Sequence, residues 1–274
     1  MHKQANAVPG WDLSQIPLDA IEVSRVKPQE DLFYLVTAAS FIESGADLYT
    51  GNLAGYFDGD DEVTDWLTNR WQVEEMRHGR ALRAYVCHVW PEFDWERAFA
   101  AFFADYAQQC IVDAFEPTRA LELAARCVVE TGTSTFYQAL AAQAVEPVLA
   151  GITTRIRADE INHFKHFYRY FRAYREREAP GRLRVLAAVG RRMGEARSGD
   201  GECALRHAFE VRQPEMQGDR AAFQALNKRL GQQMKRHYPV EMAVKMLLKP
   251  LDLPPRFAHA LQGPLTRALG LALH

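Results

Sequence analysis

Residues 74–79 read EEMRHG, and residues 158–164 read ADEINHF. Each stretch holds a glutamate followed three residues later by a histidine: Glu75 with His78, and Glu160 with His163. On an α-helix, positions i and i+3 share a face, so each pair points a carboxylate and an imidazole the same way. A single pair of this kind arises often by chance. Here each follows a lone glutamate at a similar distance: Glu43 stands 32 residues before Glu75, and Glu130 stands 30 before Glu160. The chain therefore repeats one unit: a helix with a glutamate, a turn, and a helix with Glu-x-x-His. Packed antiparallel, four such helices bring four carboxylates and two imidazoles to one spot.

The rest of the sequence supplies the helices this needs. Between its clustered prolines and glycines the chain is rich in Ala, Leu, Glu, Arg and Gln, which favour helix. No turn dipeptide separates alternating apolar runs, so strand signals are weak. After an irregular arm over residues 1–27, a first helix is expected from Pro28 to Phe57, with Glu30 and Asp31 in its first turn, where acids suit the helix dipole. DGDD at 58–61 reads as a turn and cap before a second helix reaching His88. WPEFDW at 90–95 ends it, and a bridging helix follows over 95–112. A third helix starts near Glu116-Pro117 and ends near Gln143, and Glu146-Pro147 opens a fourth that runs to Glu178. Shorter helices are expected over 181–274, with a loop near 198–218.

Four glutamates and two histidines in this arrangement form the ligand set of ferritin-like di-iron and di-manganese carboxylate proteins. Two adjacent cations need several carboxylates to neutralise them, and two of these can bridge the ions. One imidazole per ion leaves coordination positions open. Oxygen-rich ligation without thiolate suits iron or manganese better than zinc or copper. Glu43 and Glu130 sit among apolar neighbours (Phe41, Ile42 and Leu48; Val128, Val129 and Phe136), where an unpaired carboxylate would be costly to bury. The expected fold is all-α: a ferritin-like four-helix bundle with a di-metal centre plus additional C-terminal helices. It is read as one domain over 1–274, with the bundle over about 28–178 and the extension over 181–274.

The bulk properties exclude several classes. The chain has 274 residues with 33 Lys plus Arg against 35 Asp plus Glu, a formal charge of −2. That balance gives no overall drive toward nucleic acid or an anionic surface. No apolar run approaches the ~18 residues of a membrane span, and the N-terminus shows no secretory pattern. Cys87, Cys110, Cys127 and Cys203 form no CxxC and read as reduced thiols of a cytoplasmic protein.

At these motifs the chain resembles the soluble acyl-carrier-protein desaturases of the ferritin-like superfamily. EEMRHG is similar to that family's EENRHG, and ADEINHF to its ADEKRHE. Asp58-Gly59 and Trp71 lie in a similar tract. Glu43 with Tyr49, and Glu130 with Thr133, keep family spacings, and LPPR at 253–256 resembles a sequence near the family's C-terminus. The likeness covers about 35–180 well and the remainder loosely. It departs at Met76, where the family has Asn, and at Ile161-Asn162, where it has Lys-Arg.

The resemblance implies metal ligands at Glu43, Glu75, His78, Glu130, Glu160 and His163, holding two irons, with manganese as the other fit. It implies reduction by a ferredoxin-type donor, activation of O₂, and removal of two hydrogens from an acyl chain on an acyl carrier protein or another thioester, in a homodimer. Thr133 would act near the oxygen site in proton delivery. A metal-bound histidine usually donates its other N–H to a carboxylate, and Asp159 with His78 and Glu74 with His163 are the cross-helix pairs expected. If the ligand acids are buried, the outward face is more basic than −2 suggests, which leaves room for an acidic carrier. An oxygenase of the same di-iron class acting on a small metabolite is the alternative, and a non-catalytic ferritin-like metal-binding protein a further one.

Other residues are set aside. His166 lacks the spacing of a seventh ligand, and Asp47 reads as a polar neighbour. His88, His207, His237 and His259 read as surface. Phe99, Phe102, Phe103 and Tyr106 read as core, with an apolar tunnel wall as the other use. Lys228-Arg229 and Lys235-Arg236-His237 read as solvated or as a carrier-docking patch. Trp11 is poorly spaced for the family's electron-relaying tryptophan.

Overall fold

The computed structural model describes residues 10–109, 115–195 and 199–273, and the described residues form helices with no strand among them. Cys110 and the end of the expected bridging helix lie outside the described residues. The arm is less irregular than expected. Two 3₁₀ turns, Leu13–Gln15 and Leu18–Ala20, lead into a short helix α1, Val23–Val26.

The expected first helix is two: α2, Glu30–Ser44, and α3, Ala46–Tyr56, divided at Gly45. The second begins where Asp60 caps it by accepting from the Val63 amide. It comprises α4, Asp61–Trp66, a π-helical turn, Leu67–Trp71, and α5, Gln72–Val89. π-Turns inside helices recur at functional sites. Helix α6 spans Trp95–Gln109. Helix α7, Arg119–Gln143, is capped by Thr118, so Pro117 precedes the cap and lies outside the helix. Helix α8, Pro147–Glu178, starts on a cap in which Glu146 accepts from the Val148 and Leu149 amides. It ends at Ala179 in the left-handed region, just before Pro180.

Helix α2 packs along α5, α7 along α8, and α5 meets α8. The α2–α5 crossing is close. A Cβ on Gly79 would lie 2.7 Å from the Ser44 backbone nitrogen, so only glycine fits there. Gly79 follows His78 and Ser44 follows Glu43, so this contact brings those two side chains together. Two apolar clusters flank that level. On α7 and α8 one takes Ala120–Val128 and Phe164–Tyr174, and the other takes Tyr137–Leu140 and Val148–Ile156. Glu130, Glu160 and His163 fall between them, in a polar belt between the two apolar clusters. The Phe102 and Tyr106 rings are buried core, and Phe99 and Phe103 pack against it.

The extension continues with α9, Arg182–Glu195; α10, Asp200–Arg212; α11, Arg220–Arg236; α12, Val240–Leu248; and α13, Pro255–Leu273. Helix α10 occupies most of the expected loop over 198–218. Gly199, Gly201, Pro214 and Gly218 give the segment its breaker signature. Yet Cys203, Ala204, His207 and Ala208 make one buried face, which packs on α2 and α6. His207 is therefore not a surface residue; its Nε2 lies 3.0 Å from Asp105 Oδ2, beside the Arg206–Asp105 ion pair. His237 and His259 are exposed, as expected, and His88 is half-buried.

A second buried polar group ties α7 to α9. Glu122 is fully buried, accepts from the Glu116 amide at 2.8 Å, and lies 3.6 Å from Arg192. Burial pushes its carboxyl up to about 7, against the pull of Arg192 and that amide. A carboxyl raised in the folded state takes up a proton on folding between its ordinary value and the raised one. Stability attributable to Glu122 therefore falls as pH rises from about 4.5 to about 7. We expect Glu122→Gln to remove this slope: the unfolding free-energy difference between wild type and variant, from denaturant titrations, shrinks or reverses across that window, by about 3 kcal/mol at most. A difference constant with pH would contradict it.

Candidate metal centre

Six side chains from four helices meet in the polar belt. Glu43 comes from α2, Glu75 and His78 from α5, Glu130 from α7, and Glu160 and His163 from α8, and all six are buried. The ligand atoms of Glu43, Glu75, His78 and Glu160 lie within 4.8 Å of one another, and so do those of Glu75, Glu130, Glu160 and His163. Glu75 and Glu160 belong to both groups. These buried groups can hold metal ions.

The imidazoles are held in matching ways. His78 Nε2 lies 3.0 Å from Asp159 Oδ2, and His163 Nε2 lies 2.8 Å from Glu74 Oε2. These are the two cross-helix contacts expected from the sequence. With both outer nitrogens turned to carboxylates, both Nδ1 atoms face inward. His78 Nδ1 is 3.2 Å from Glu160 and 3.6 Å from Glu43; His163 Nδ1 is 3.1 Å from Glu75 and 3.6 Å from Glu130. Neither Nδ1 has a hydrogen-bond partner, and neither do Glu130 Oε2 and Glu160 Oε1. Buried polar atoms of native proteins are nearly always satisfied. Four orphaned donor atoms converging from three helices fit a cation well.

The charges point the same way. Burial and the nearby carboxylate of Glu75 push Glu43 well above its ordinary range, and burial with Glu160 does the same for Glu130. Burial also opposes ionisation of Glu75 and Glu160, but the two imidazoles beside them hold both low. Burial alone would lower His78 and His163. The carboxylates around them outweigh it and hold both well above the usual imidazole value. Without a metal the cluster balances its charge by keeping protons on Glu43, Glu130 and both imidazoles; bound cations would take the place of those protons.

Thr133 Oγ1 donates to Glu160 Oε2 at 2.6 Å. Three further residues belong to the site: Tyr137 and Arg77, not singled out from the sequence, and Trp11, set aside there on its spacing. The Tyr137 hydroxyl donates to Glu43 Oε1 in a short hydrogen bond; it stands seven residues after Glu130, two turns along the same face. Arg77, inside EEMRHG, is buried and pairs with Asp159 at 3.0 Å and Glu74 at 3.8 Å, linking the two carboxylates that hold the imidazoles. Trp11 docks from the arm: its Nε1 donates to Asp159 Oδ2 at 2.9 Å, and its ring stacks over His78 at 6.1 Å. Sequence distance hid this contact, since 148 residues separate Trp11 from Asp159.

Other candidates stay outside. His166 stacks on Trp66 at 4.9 Å, and Asp47 is exposed. Asp105, Cys203 and His207 form a separate cluster, with Arg206 bonded to Asp105.

No protein-family model matches this chain, and no curated protein does.

Proposed function

We propose that the chain is an O₂-dependent di-iron oxidase with a ferritin-like bundle, acting on an acyl chain in the manner of the acyl-carrier-protein desaturases it resembles. The observation that carries this reading is the pair of overlapping ligand groups, which share Glu75 and Glu160 and hold one imidazole each. Glu43, Glu75, His78 and Glu160 would hold one ion, and Glu75, Glu130, Glu160 and His163 the other. A set of carboxylates with one nitrogen per ion suits iron, or manganese. When bound, reduced iron supplies the electrons and open coordination positions that activate O₂.

The chain's own residues have distinct tasks. Asp159 and Glu74 accept from the Nε2–H of His78 and His163, which fixes the tautomers and keeps each Nδ1 lone pair pointing inward. Thr133 orients Glu160 and carries an exchangeable proton at its Oγ1. Tyr137 orients Glu43. Trp11, Asp159 and His78 make a continuous contact from the arm to an inner imidazole. We assign it as the path for an electron from a ferredoxin-type donor. Arg77 and Arg155 lie 5.0 and 5.9 Å from the Trp11 ring, a basic setting for an acidic donor.

One observation favours the alternative, oxygenation of a small metabolite. Arg126 is buried one turn before Glu130, over the Tyr49 ring at 4.7 Å; its Nε pairs with Glu122 Oε1 at 2.8 Å, while its Nη2 has no hydrogen-bond partner. That spare N–H donor suits a polar substrate group and is of no use to an alkyl chain. The test is oxygen uptake by iron-loaded, reduced protein, with mass spectrometry of an acyl-carrier-protein thioester after reaction. A product lighter by two hydrogens is expected. A product heavier by oxygen favours the alternative, and no oxygen uptake with any reductant contradicts both.

A further inference from the structure

Helix α13 turns its apolar side away from the protein. At helical spacing Phe257, Leu261, Leu265, Ala268 and Leu271 share one side. Phe257 is 65% exposed and Leu271 81%, with Leu261 and Leu265 also exposed. The side half-buried against the rest of the chain carries Ala258, Gln262, Thr266 and Leu269, a more polar set. Helix α13 packs mainly on α12. Of the nine large apolar residues exposed among the described residues, seven lie on α13 and α9, the latter contributing Leu183, Leu186 and Met193. At the start of α9, Arg182 donates to the carbonyl of Asp252, three residues before α13 begins. Exposed apolar residues scattered singly need no explanation, but a concentration on two helices marks an interaction surface.

Charge identifies the occupant. Helix α13 has no Asp or Glu; its exposed charges are Arg256 and Arg267, which flank one edge of the apolar side. Arg184 is exposed on α9. A second copy docked about a twofold axis on this face would set like charges against each other. An anionic lipid surface complements both parts, acyl chains for Phe257, Leu261 and Leu265 and headgroup phosphates for the arginines. We propose that α13 binds the chain peripherally to anionic lipid. This is surface binding: no described helix is long and apolar enough to cross a membrane. It is independent of the metal reading.

Vesicle flotation of the full chain tests this. We expect co-flotation with phosphatidylglycerol vesicles, loss of it at high salt, and little binding to pure phosphatidylcholine. Phe257→Ser with Leu261→Ser should cut the bound fraction about tenfold at unchanged helix content. Arg256→Ser with Arg267→Ser should weaken binding to phosphatidylglycerol. Failure to float with either vesicle, or equal binding to both, overturns the proposal. So does a dimer in light scattering that the double serine variant converts to monomer, which would make this face a self-interface. The two-vesicle comparison on the unmodified chain decides the matter even if a variant fails to fold.

Discussion

Glu160→Ala leaves the protein unable to hold metal at either position, whereas Glu43→Ala and Glu130→Ala each retain about one ion per chain. The difference follows from membership. Glu160 and Glu75 belong to both ligand groups, Glu43 and Glu130 to one each. Removing a shared carboxylate also takes away the acceptor of the Thr133 hydroxyl and the nearest carboxylate to His78 Nδ1. The stability of the metal-free protein should fall as well. The two imidazoles and Thr133 stabilise the Glu160 carboxylate, and its loss leaves those partners unpaired beside a cavity, so metal-free Glu160→Ala should melt below metal-free wild type. Metal analysis and thermal melts of the three variants check this. If Glu160→Ala holds as much metal as Glu43→Ala, the shared role is wrong.

The second large effect is expected at Trp11. Trp11→Phe keeps a ring over His78 but removes the hydrogen bond to Asp159. Metal content should stay close to wild type. Turnover driven by a ferredoxin-type donor should fall about 100-fold, the upper end of what loss of an outer hydrogen-bond partner produces. A single turnover of protein reduced beforehand with dithionite should proceed at the wild-type rate. Equal loss in both assays would make Trp11 a structural prop for Asp159 and would remove the electron path.

These two residues also mark what the sequence can and cannot disclose. Glu160 was legible because helical periodicity is a local property: Glu-x-x-His, repeated at matching distances from Glu43 and Glu130, fixes which side chains share a face. The turns that set those distances were legible for the same reason, as at Asp60 and at Glu146-Pro147. The hydrogen bonds of Asp159 and Glu74 followed from the chemistry of a bound imidazole, which needs an acceptor at its outer nitrogen. Trp11 was not legible, because its contact depends on where a non-helical arm lies, and no periodicity records that. Tyr137 could have been found, since it sits two turns from Glu130 on the same face. Helix α10 was missed because Gly199, Gly201 and Pro214 signal breaks, while its face toward α2 and α6 outweighs them through packing. The outward apolar side of α13 was hidden too, since a sequence shows that a helix is amphipathic but not which side it buries.

The central claim is that the six buried side chains exist to hold two metal ions. The most direct test is elemental analysis of the full chain, purified and reconstituted with ferrous iron without oxygen, then freed of loose metal. We predict close to two irons per chain, lost on chelation and restored on adding iron. A well-folded, fully helical protein that retains no iron, manganese or other metal under these conditions would contradict the account.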